Sequence, residues 1–266
     1  MVPLSVPELP EIESYRLQAE RRALHRVVAA VSADDAWYLK RGLSTSAASA
    51  ALVGAAFVAA RRRGKLLLLD TDTEAVLGLR FGMSGRLVVD GLVDIETLRY
   101  SSNRPDPRFD RFAVQFSDGG DLRIRDPRRL GGVELEPDEE RLGPDALAVT
   151  PATLGRALAG SEAPLKARLM DQARVSGVGN LIADEVLWRA SLSPLRPAGG
   201  LRPPEVRRLA RHLKGALDDL IDRGGSHTGD LMAERRPGGH CPRDGTALLR
   251  AVVGGRTTWW CPRHQH

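Results

Sequence analysis

The sequence has little that would place the protein in a membrane or direct it out of the cell. No uninterrupted apolar run approaches the roughly 18 to 20 residues that a bilayer-spanning helix needs. Residues 1–11 contain neither a basic segment nor an apolar stretch of signal-peptide length. We therefore expect a cytoplasmic protein that has no membrane partner.

Cysteine is scarce, since the chain has only Cys241 and Cys261. In a reducing compartment, two such cysteines favour metal binding over a disulfide. Asp244 and His264 each follow a cysteine by three positions, and a β-type hairpin separates the two runs. Because Zn²⁺ accepts sulfur, nitrogen and oxygen ligands, these four residues predict a structural zinc site. His240 and His266 are rival ligands, and a metal-free hairpin is the alternative.

The chain also lacks a strong excess of charge. Lys plus Arg outnumber Asp plus Glu by 39 to 34, which gives a formal net charge of +5. The basic residues are nevertheless clustered, and such patches suit a polyanion bound between two domains, whereas the alternative is solvated surface. The clusters are Arg61, Arg62, Arg63 and Lys65, then Arg123, Arg125, Arg128 and Arg129, then Arg235, Arg236, Arg243, Arg250 and Arg256.

The length of 266 residues and the hydrophobic content of 42% favour two domains. We predict an α+β protein: an N-terminal helix with an antiparallel β-sandwich, then a helical domain and a zinc-finger-like hairpin. The predicted boundaries are 1–136 for the sandwich, 137–149 for a linker, 150–236 for the helices and 237–266 for the hairpin.

The pattern of apolar residues places the elements. A helix is predicted over 10–24, and helices in the second half over 151–160, 163–173, 180–190 and from 203 to Gly224. Short β-type runs cover 27–31, 66–69, 76–79, 86–89, 112–116, 122–124 and 133–135. The sequence from Ser117 to Gly120 is a hairpin signal between two of these strands.

Pro7 and Glu8 place an imino acid beside a carboxylate. A free α-amino group titrates near 7.7 to 8.0, so an N-terminal Pro7 would be a nucleophile at neutral pH. That chemistry requires residues 1–6 to be absent from the working protein, for example through initiation at Val6 followed by trimming. The alternative is that Pro10 fills the first turn of a helix, while Glu8 and Glu11 favour its positive end.

Three loops carry residues suited to nucleic acid. Met83 lies between Gly82 and Gly85, where it could enter a base stack, although a core methionine in a turn is the alternative. Arg129 and Leu130 follow Asp-Pro-Arg in a turn that suits phosphate or base-edge contacts. The sequence from Gly177 to Asn180 precedes a helix and predicts an anion cradle, to which Lys166 could add a cation.

Six motifs in this order resemble the formamidopyrimidine-DNA glycosylase and endonuclease VIII family of bifunctional repair enzymes. They are Pro-Glu-Leu-Pro-Glu at 7–11, Arg-Gly-Lys at 63–65, Gly-Met-Ser-Gly at 82–85, Asp-Pro-Arg-Arg at 126–129, Leu-Met-Asp at 169–171 leading into Gly-Val-Gly-Asn at 177–180, and the terminal hairpin. The Leu-Pro of the first motif resembles the formamidopyrimidine branch.

The resemblance implies a monomer with a helix-two-turn-helix domain, acting on double-stranded DNA that contains damaged bases or abasic sites. It implies base excision through a Schiff base with Pro7, followed by β- and δ-elimination, and a structural zinc. The implied catalytic residues are Pro7, Glu8 and Lys65. By the same matching, Lys166, Asn180 and Arg256 would grip phosphates, Met83 and Leu130 would fill the vacated space, Arg129 would read the opposite base, and Glu185 would steady the N-terminal loop.

Three departures from the family pattern stand in the sequence. Six residues precede Pro7, and Leu130 stands where phenylalanine is usual. Only 15 residues separate Gly225 from Cys241, which is short for a loop that covers 8-oxoguanine, so we do not predict that lesion as preferred. Two other classes remain open: a protein of this fold that binds damaged or abasic DNA without cutting it, and a zinc-ribbon RNA-binding protein.

Overall fold

Two four-stranded antiparallel sheets form the first half of the chain in the computed structural model, which describes residues 7–98, 101 and 103–266. Their strand orders are β1-β6-β7-β5 and β2-β3-β4-β8. The strands are β1 (Val28–Ser32), β2 (Phe57–Arg63), β3 (Leu66–Thr71), β4 (Val76–Arg80), β5 (Arg86–Val89), β6 (Asp110–Phe116), β7 (Asp121–Arg125) and β8 (Gly132–Leu135). Two helices accompany them, α1 (Leu9–Arg22) and α2 (Thr45–Leu52).

Side chains from both sheets belong to one buried core. Leu67 and Leu79 come from one sheet, Phe112 and Ile124 from the other, and Tyr15 joins them from α1. Each of these side chains is at most 1% exposed. Because the two sheets share a core, this half is a β-sandwich, and the predicted α+β fold with an antiparallel sandwich is confirmed.

The second half is helical and ends in a β-hairpin. Its elements are α3 (Pro151–Leu158), α4 (Leu165–Met170), α5 (Asn180–Arg189), α6 (Pro203–Asp222), β9 (Leu249–Val253) and β10 (Arg256–Trp260). Helix α6 buries an apolar stripe, which consists of Leu209, Leu213, Leu217 and Leu220. A smaller apolar cluster joins Trp188 on α5 to Trp259 on β10.

The described residues form two units, and the division at residue 139 crosses the predicted linker. One unit contains Pro7 and Glu11–Glu139, and the other contains Glu8–Pro10 and Glu140–His266. The helices and the hairpin therefore fall in the same unit. No helix of the described chain is long and apolar enough to cross a membrane.

The sequence patterns missed α2 and β2 and overextended α4. Helix α2 consists mainly of Ala, Ser and Thr and has no apolar stripe, yet the Ser44 hydroxyl caps it by accepting from the Ala47 N–H at 3.1 Å. Strand β2 contains Arg61, Arg62 and Arg63, which form a basic cluster in the sequence. Helix α4 ends at Met170, because the Asp171 carboxylate accepts from the Ala173 N–H and starts a turn.

Candidate functional site

Glu8 occupies the N-terminus of α5. Its carboxylate accepts hydrogen bonds from the N–H groups of Leu181 (2.9 Å) and Ile182 (3.1 Å), and the residue is 3% exposed. These are orphan donors at the positive end of the helix, which together attract an anion. The N–H groups at the start of α5 therefore hold an anionic group, which is the Glu8 carboxylate of the chain itself.

The glycines of the 177–179 loop allow this approach. A Cβ on Gly179 would lie 2.1 Å from Cδ of Glu8, and Gly177 has a φ of +106°. Gln172 braces the loop, because its amide donates to the Val178 carbonyl at 2.8 Å and accepts from the Gly177 N–H at 2.9 Å. Gln172 is a supporting residue that the sequence patterns did not reveal, since a glutamine after a helix carries no distinctive signal.

Lys65 lies in the tight turn between β2 and β3 and is half-buried. The turn is attached to α1, because Arg62 donates both to the Gly64 carbonyl at 3.1 Å and to Glu13 at 2.8 Å. Burial raises the pKa of Glu13, but hydrogen bonds from Arg16 and Arg62 outweigh burial and hold that pKa below its usual value. The charged pair therefore fixes the turn that carries Lys65.

The loops that carry Met83 and Leu130 are joined through Asp126. This buried carboxylate accepts from the Ser84 hydroxyl, from the Gly131 N–H at 2.8 Å and from the Tyr38 hydroxyl at 3.2 Å. A Cβ on Gly82 would lie 2.5 Å from the Leu130 carbonyl carbon, so the loops also touch directly. Sequence reasoning placed Met83 and Leu130 in separate loops and missed Asp126 as their link.

Met83 is half-buried and Leu130 is 50% exposed, so both differ from ordinary core residues. The buried Asp126 carboxylate fixes the turn that holds Leu130 at the surface.

Arg129 is held by Asp35 in a side-on ion pair. Its Nε and Nη2 lie 2.6 and 2.7 Å from the two carboxylate oxygens, and its φ is +57°. The Arg129 hydrogen bonds hold the pKa of Asp35 below its usual value, despite some burial. Guanidinium has five N–H donors, of which this pair uses one on Nε and one on Nη2, and the Arg129 side chain is 49% exposed.

Lys166 is fully buried in the second unit, at 0% exposure. Its ammonium lies 2.7 Å from both Asn180 Oδ1 and Asp184 Oδ1, 2.8 Å from the Thr258 hydroxyl and 3.2 Å from the Thr257 carbonyl. Burial lowers the pKa of Lys166, and Asp184 opposes that effect. A direct phosphate contact, as the sequence predicted, would require Lys166 to leave these partners.

Asn180 and Arg256 are connected through Lys166. Asn180 is the first residue of α5 and is partly exposed, whereas Arg256 is exposed at the start of β10. The hairpin turn also packs on α4, since a Cβ on Gly254 would lie 3.1 Å from Cβ of Ala167. Lys166 therefore fixes the relative positions of two predicted phosphate-binding residues.

Glu185 on α5 holds the segment at Asp230 and Leu231. Its carboxylate accepts from the N–H groups of Asp230 (3.1 Å) and Leu231 (2.9 Å) and from Arg189 at 2.7 Å. It therefore fixes the turn after α6. The expected support of the N-terminal loop concerns residues 1–6, which lie outside the described residues.

Much of the predicted basic surface is engaged in internal ion pairs. Arg61 binds Asp70 and Glu139, Arg62 binds Glu13, Arg123 binds Asp110 and Asp121, Arg125 binds Asp110, and Arg235 binds Asp184. These arginines stabilise strands and helices, so clustering in the sequence overstated the charge available to a polyanion.

The four predicted metal ligands lie together. The ligand atoms of Cys241, Asp244, Cys261 and His264 all lie within 4.8 Å of one another, and neither cysteine is in a disulfide. Cys241 Sγ is 3.5 Å from His264 Nδ1, and Cys261 Sγ is 3.5 Å from Asp244 Oδ2. Tetrahedral ligands at zinc distances of about 2.0 to 2.3 Å would be separated by roughly 3.3 to 3.8 Å, so this donor set fits a metal ion.

Neighbouring groups orient the cluster. His264 Nε2 faces the Trp188 carbonyl at 3.3 Å, and the Trp188 indole N–H donates to Cys241 Sγ at 3.4 Å. Such contacts fix the ring and the sulfur in metal sites. Within the described chain, the metal-binding group comprises these four residues, without His240 or His266.

Comparison with known proteins is consistent with this geometry. The profile of the formamidopyrimidine-DNA glycosylase N-terminal domain matches residues 6–133, and that of the formamidopyrimidine-DNA glycosylase H2TH domain matches residues 142–231. The formamidopyrimidine-DNA glycosylase of Paracoccus denitrificans is 34% identical over 284 residues, covering 97% of this chain and 99% of the relative. That of Symbiobacterium thermophilum is 34% identical and covers 98% of this chain and 89% of the relative.

A solved structure shows the same fold. The crystal structure of wild-type Lactococcus lactis Fpg with DNA containing an oxidised pyrimidine has a TM-score of 0.82 and 25% identity, covering 98% of this chain and all of that chain. The two units thus have the architecture of a DNA glycosylase with a helix-two-turn-helix domain. The chain belongs to the formamidopyrimidine-DNA glycosylase family, and the resemblance predicted from the motifs is confirmed.

Proposed function

We propose that the protein is a bifunctional DNA glycosylase that excises oxidised bases from double-stranded DNA and then cuts the abasic site. The observation that carries the proposal is the placement of Glu8. This carboxylate follows Pro7 directly and is held by two backbone N–H groups of α5, in a chain of this family. A fixed acidic group beside an imino acid suits nucleophilic attack at a sugar carbon.

In the proposed reaction, the lesion nucleotide leaves the base stack and its C1′ approaches Pro7. The Pro7 nitrogen forms a bond to C1′ while the bond from C1′ to the base breaks, and the base leaves with that electron pair and gains a proton. The C1′–O4′ bond then breaks, O4′ gains a proton, and the nitrogen lone pair completes an iminium bond to C1′. Loss of a C2′ proton expels the 3′ phosphate as the C3′–O bond breaks, and loss of the C4′ proton expels the 5′ phosphate as the C5′–O bond breaks.

Two further residues act around the sugar. Glu8 serves as general acid and base, because its carboxylate is adjacent to the nucleophile in the chain. Lys65 contacts a phosphate and assists protonation near the lesion, and the pairing of Arg62 with Glu13 fixes its turn. Both roles follow from the family motifs at 7–11 and 63–65.

The remaining residues bind DNA. Met83 and Leu130 fill the space that the flipped nucleotide leaves, and Arg129 reads the opposite base through its end-on N–H groups. Asn180 and Arg256 grip phosphates beside the lesion. Lys166 acts as a positioning residue, since its ammonium contacts Asn180 and the residues next to Arg256.

The metal is proposed to be a structural Zn²⁺ held by Cys241, Asp244, Cys261 and His264. When bound, it would cross-link the two ends of the hairpin that presents Arg256. The protein residues of the hairpin then contribute to DNA binding and not to the elimination chemistry.

The mechanism requires a free nitrogen at Pro7. Met1 to Val6 precede it in the sequence and lie outside the described residues. We propose that the working protein starts at Pro7, after initiation at Val6 and removal of the first residue. N-terminal sequencing of protein made from its own transcript tests this, and a first residue of Met1 or Val2 would refute it.

Borohydride trapping on abasic-site DNA tests the mechanism. A protein carrying a protease-removable leader that ends just before Pro7 is compared before and after cleavage. We expect a covalent adduct only after cleavage, because only then is the Pro7 nitrogen free to attack C1′. Absence of an adduct from the cleaved protein would remove the lyase proposal.

A second candidate is a protein of this fold that binds damaged DNA without cutting it. The six residues ahead of Pro7 favour it, because they place the Pro7 nitrogen in a peptide bond. This candidate predicts tight binding to abasic-site DNA with no trapped adduct in either form of the protein.

A further inference from the structure

Trp37 is the most exposed of the large apolar side chains that the structure leaves on its surface, at 68%. Burying an indole is favourable, so a ring left this exposed is available for contact with another molecule. The other three tryptophans, Trp188, Trp259 and Trp260, are between 5 and 9% exposed. Trp37 therefore differs from every other tryptophan of the chain.

The segment around Trp37 is fixed to the loop that carries Arg129 and Leu130. Before it, Asp35 holds Arg129. After it, the buried Tyr38 donates to Asp126, the carboxylate that organises the same loop. Lys40 follows, and its N–H donates to the Val133 carbonyl at 2.8 Å. Trp37 is thus held on a short turn that is attached to the Arg129 loop on both sides.

A cation lies against the indole. The Lys40 ammonium lies 4.8 Å from the centre of the Trp37 ring and donates to the Trp37 carbonyl at 2.7 Å. The exposed Arg41 and Arg129 are instead paired with Glu134 and Asp35. An exposed aromatic ring beside a lysine suits a nucleic acid, whose phosphates meet the cation while a base or deoxyribose packs on the ring.

We propose that Trp37 and Lys40 extend the DNA-binding surface beyond the residues of the family motifs, with Trp37 packing on the duplex beside the base that Arg129 reads. The proposal rests on the proposed function for the placement of DNA at Arg129. It adds an aromatic contact from the turn between β1 and α2, which none of the recognised motifs includes.

Intrinsic fluorescence tests this contact because Trp37 is the exposed tryptophan. Acrylamide quenching is measured on the full chain, alone and with a duplex that contains a tetrahydrofuran abasic-site analogue. We expect the quenching constant to fall at least about twofold when the duplex binds, and to be low with or without DNA in Trp37→Phe. Stacking of this kind predicts that Trp37→Ala weakens the duplex Kd about tenfold.

Two control variants test whether the loss of DNA binding is specific to the aromatic ring at position 37. Trp37→Phe retains a ring and should bind within about threefold of the unchanged protein, whereas Leu92→Ala, at another exposed apolar position, should bind unchanged. Unaltered quenching in the DNA complex, with Trp37→Ala binding within twofold, would overturn the proposal. If the unchanged chain binds no duplex, the proposed function fails as well; if it binds with Trp37 accessible, only this inference fails.

Discussion

The absence of a side chain at Gly179 is expected to decide whether Glu8 can act in catalysis. Since a Cβ there would lie 2.1 Å from Cδ of Glu8, Gly179→Ala must displace the carboxylate from the α5 terminus. Misplacement of a catalytic group by about 1 Å can cost 100-fold in rate, and we expect that loss in single-turnover trapping on abasic-site DNA.

Gly215→Ala provides the matched control for that change. Gly215 lies inside α6, and a Cβ there meets nothing within 4 Å. Alanine is a better helix former, so this variant should keep full trapping activity and gain about 0.5 to 1 kcal/mol in free energy of unfolding. Equal trapping by both variants would contradict the role assigned to Gly179.

Asp35 is expected to set how well Arg129 discriminates the opposite base. Its side-on pair fixes the Arg129 guanidinium through Nε and Nη2, so loss of the carboxylate frees the guanidinium to adopt other orientations. A bidentate arginine contact provides about 1 to 3 kcal/mol of discrimination. We predict that Asp35→Ala reduces the excision-rate ratio between preferred and disfavoured opposite bases about tenfold.

The measurement compares four duplexes that differ only in the base opposite the lesion. Asp106→Ala is the control, because Asp106 pairs with the exposed Arg108 in another turn of the same unit. An Asp35→Ala protein with unchanged ratios would show that Arg129 is positioned by other contacts.

At the scale of helices and strands, the ion pair of Glu205 at the start of α6 should make the free energy of unfolding depend on pH. Glu205 accepts from Arg196 at 2.7 and 2.9 Å and from the Arg202 N–H at 2.8 Å. The Arg196 hydrogen bonds lower the pKa of Glu205 to about 2. Because the folded-state pKa is depressed, the stabilisation is complete above the ordinary value near 4.5 and is lost as pH falls towards 2.

We therefore expect Glu205→Gln to lower the free energy of unfolding by about 2 kcal/mol at pH 7 and by much less at pH 3. Urea unfolding at the two pH values measures the difference. Asp218→Asn, which breaks an exposed pair with Lys214 on the same helix, should change it by less than about 0.5 kcal/mol. A Glu205→Gln effect that does not depend on pH would contradict the ion-pair explanation.

The stability of the C-terminal hairpin should depend on a bound metal ion. Native mass spectrometry is expected to find one zinc per chain, and chelation should lower Tm and weaken DNA binding, because metal binding free energy contributes to folding. His264→Ala should lose the metal. His240→Ala should retain it, since His240 is outside the four-residue group. Retention of zinc by His264→Ala would assign the fourth ligand elsewhere.

Some helices and strands of the structure are predictable from the sequence and others are not. The range of α6 is predictable from the sequence, because helical periodicity is local. Strand β2 is not, since Arg61 pairs with Asp70 across strands and Arg62 with Glu13 on α1, and such arginines look like a surface cluster in one dimension. The buried partners of Lys166, Asp184 and Thr258, are not predictable from the sequence either. Contacts between segments that are far apart in the sequence leave no periodic pattern of residues.

At the scale of the whole molecule, the net charge of +5 says little about the number of phosphate contacts. Binding to duplex DNA weakens with salt, with a slope of log K against log salt of about −0.9 for each neutralised phosphate. Arginines already engaged with carboxylates of the chain release no DNA counterions. The slope should therefore reflect a few exposed cations such as Arg256 and not the size of the basic clusters.

We predict that Arg256→Ala makes this slope less steep by about 1 and weakens binding to damaged and undamaged duplexes alike, because a phosphate contact carries no base information. Arg123→Ala is the matched control. It removes one positive charge, as Arg256→Ala does. Because Arg123 pairs with Asp110 and Asp121, its removal should leave the slope unchanged. Fluorescence anisotropy between about 50 and 200 mM salt gives both slopes. A larger change for Arg123 than for Arg256 would mean that DNA binding breaks internal ion pairs, and that the clusters contribute to the interface after all.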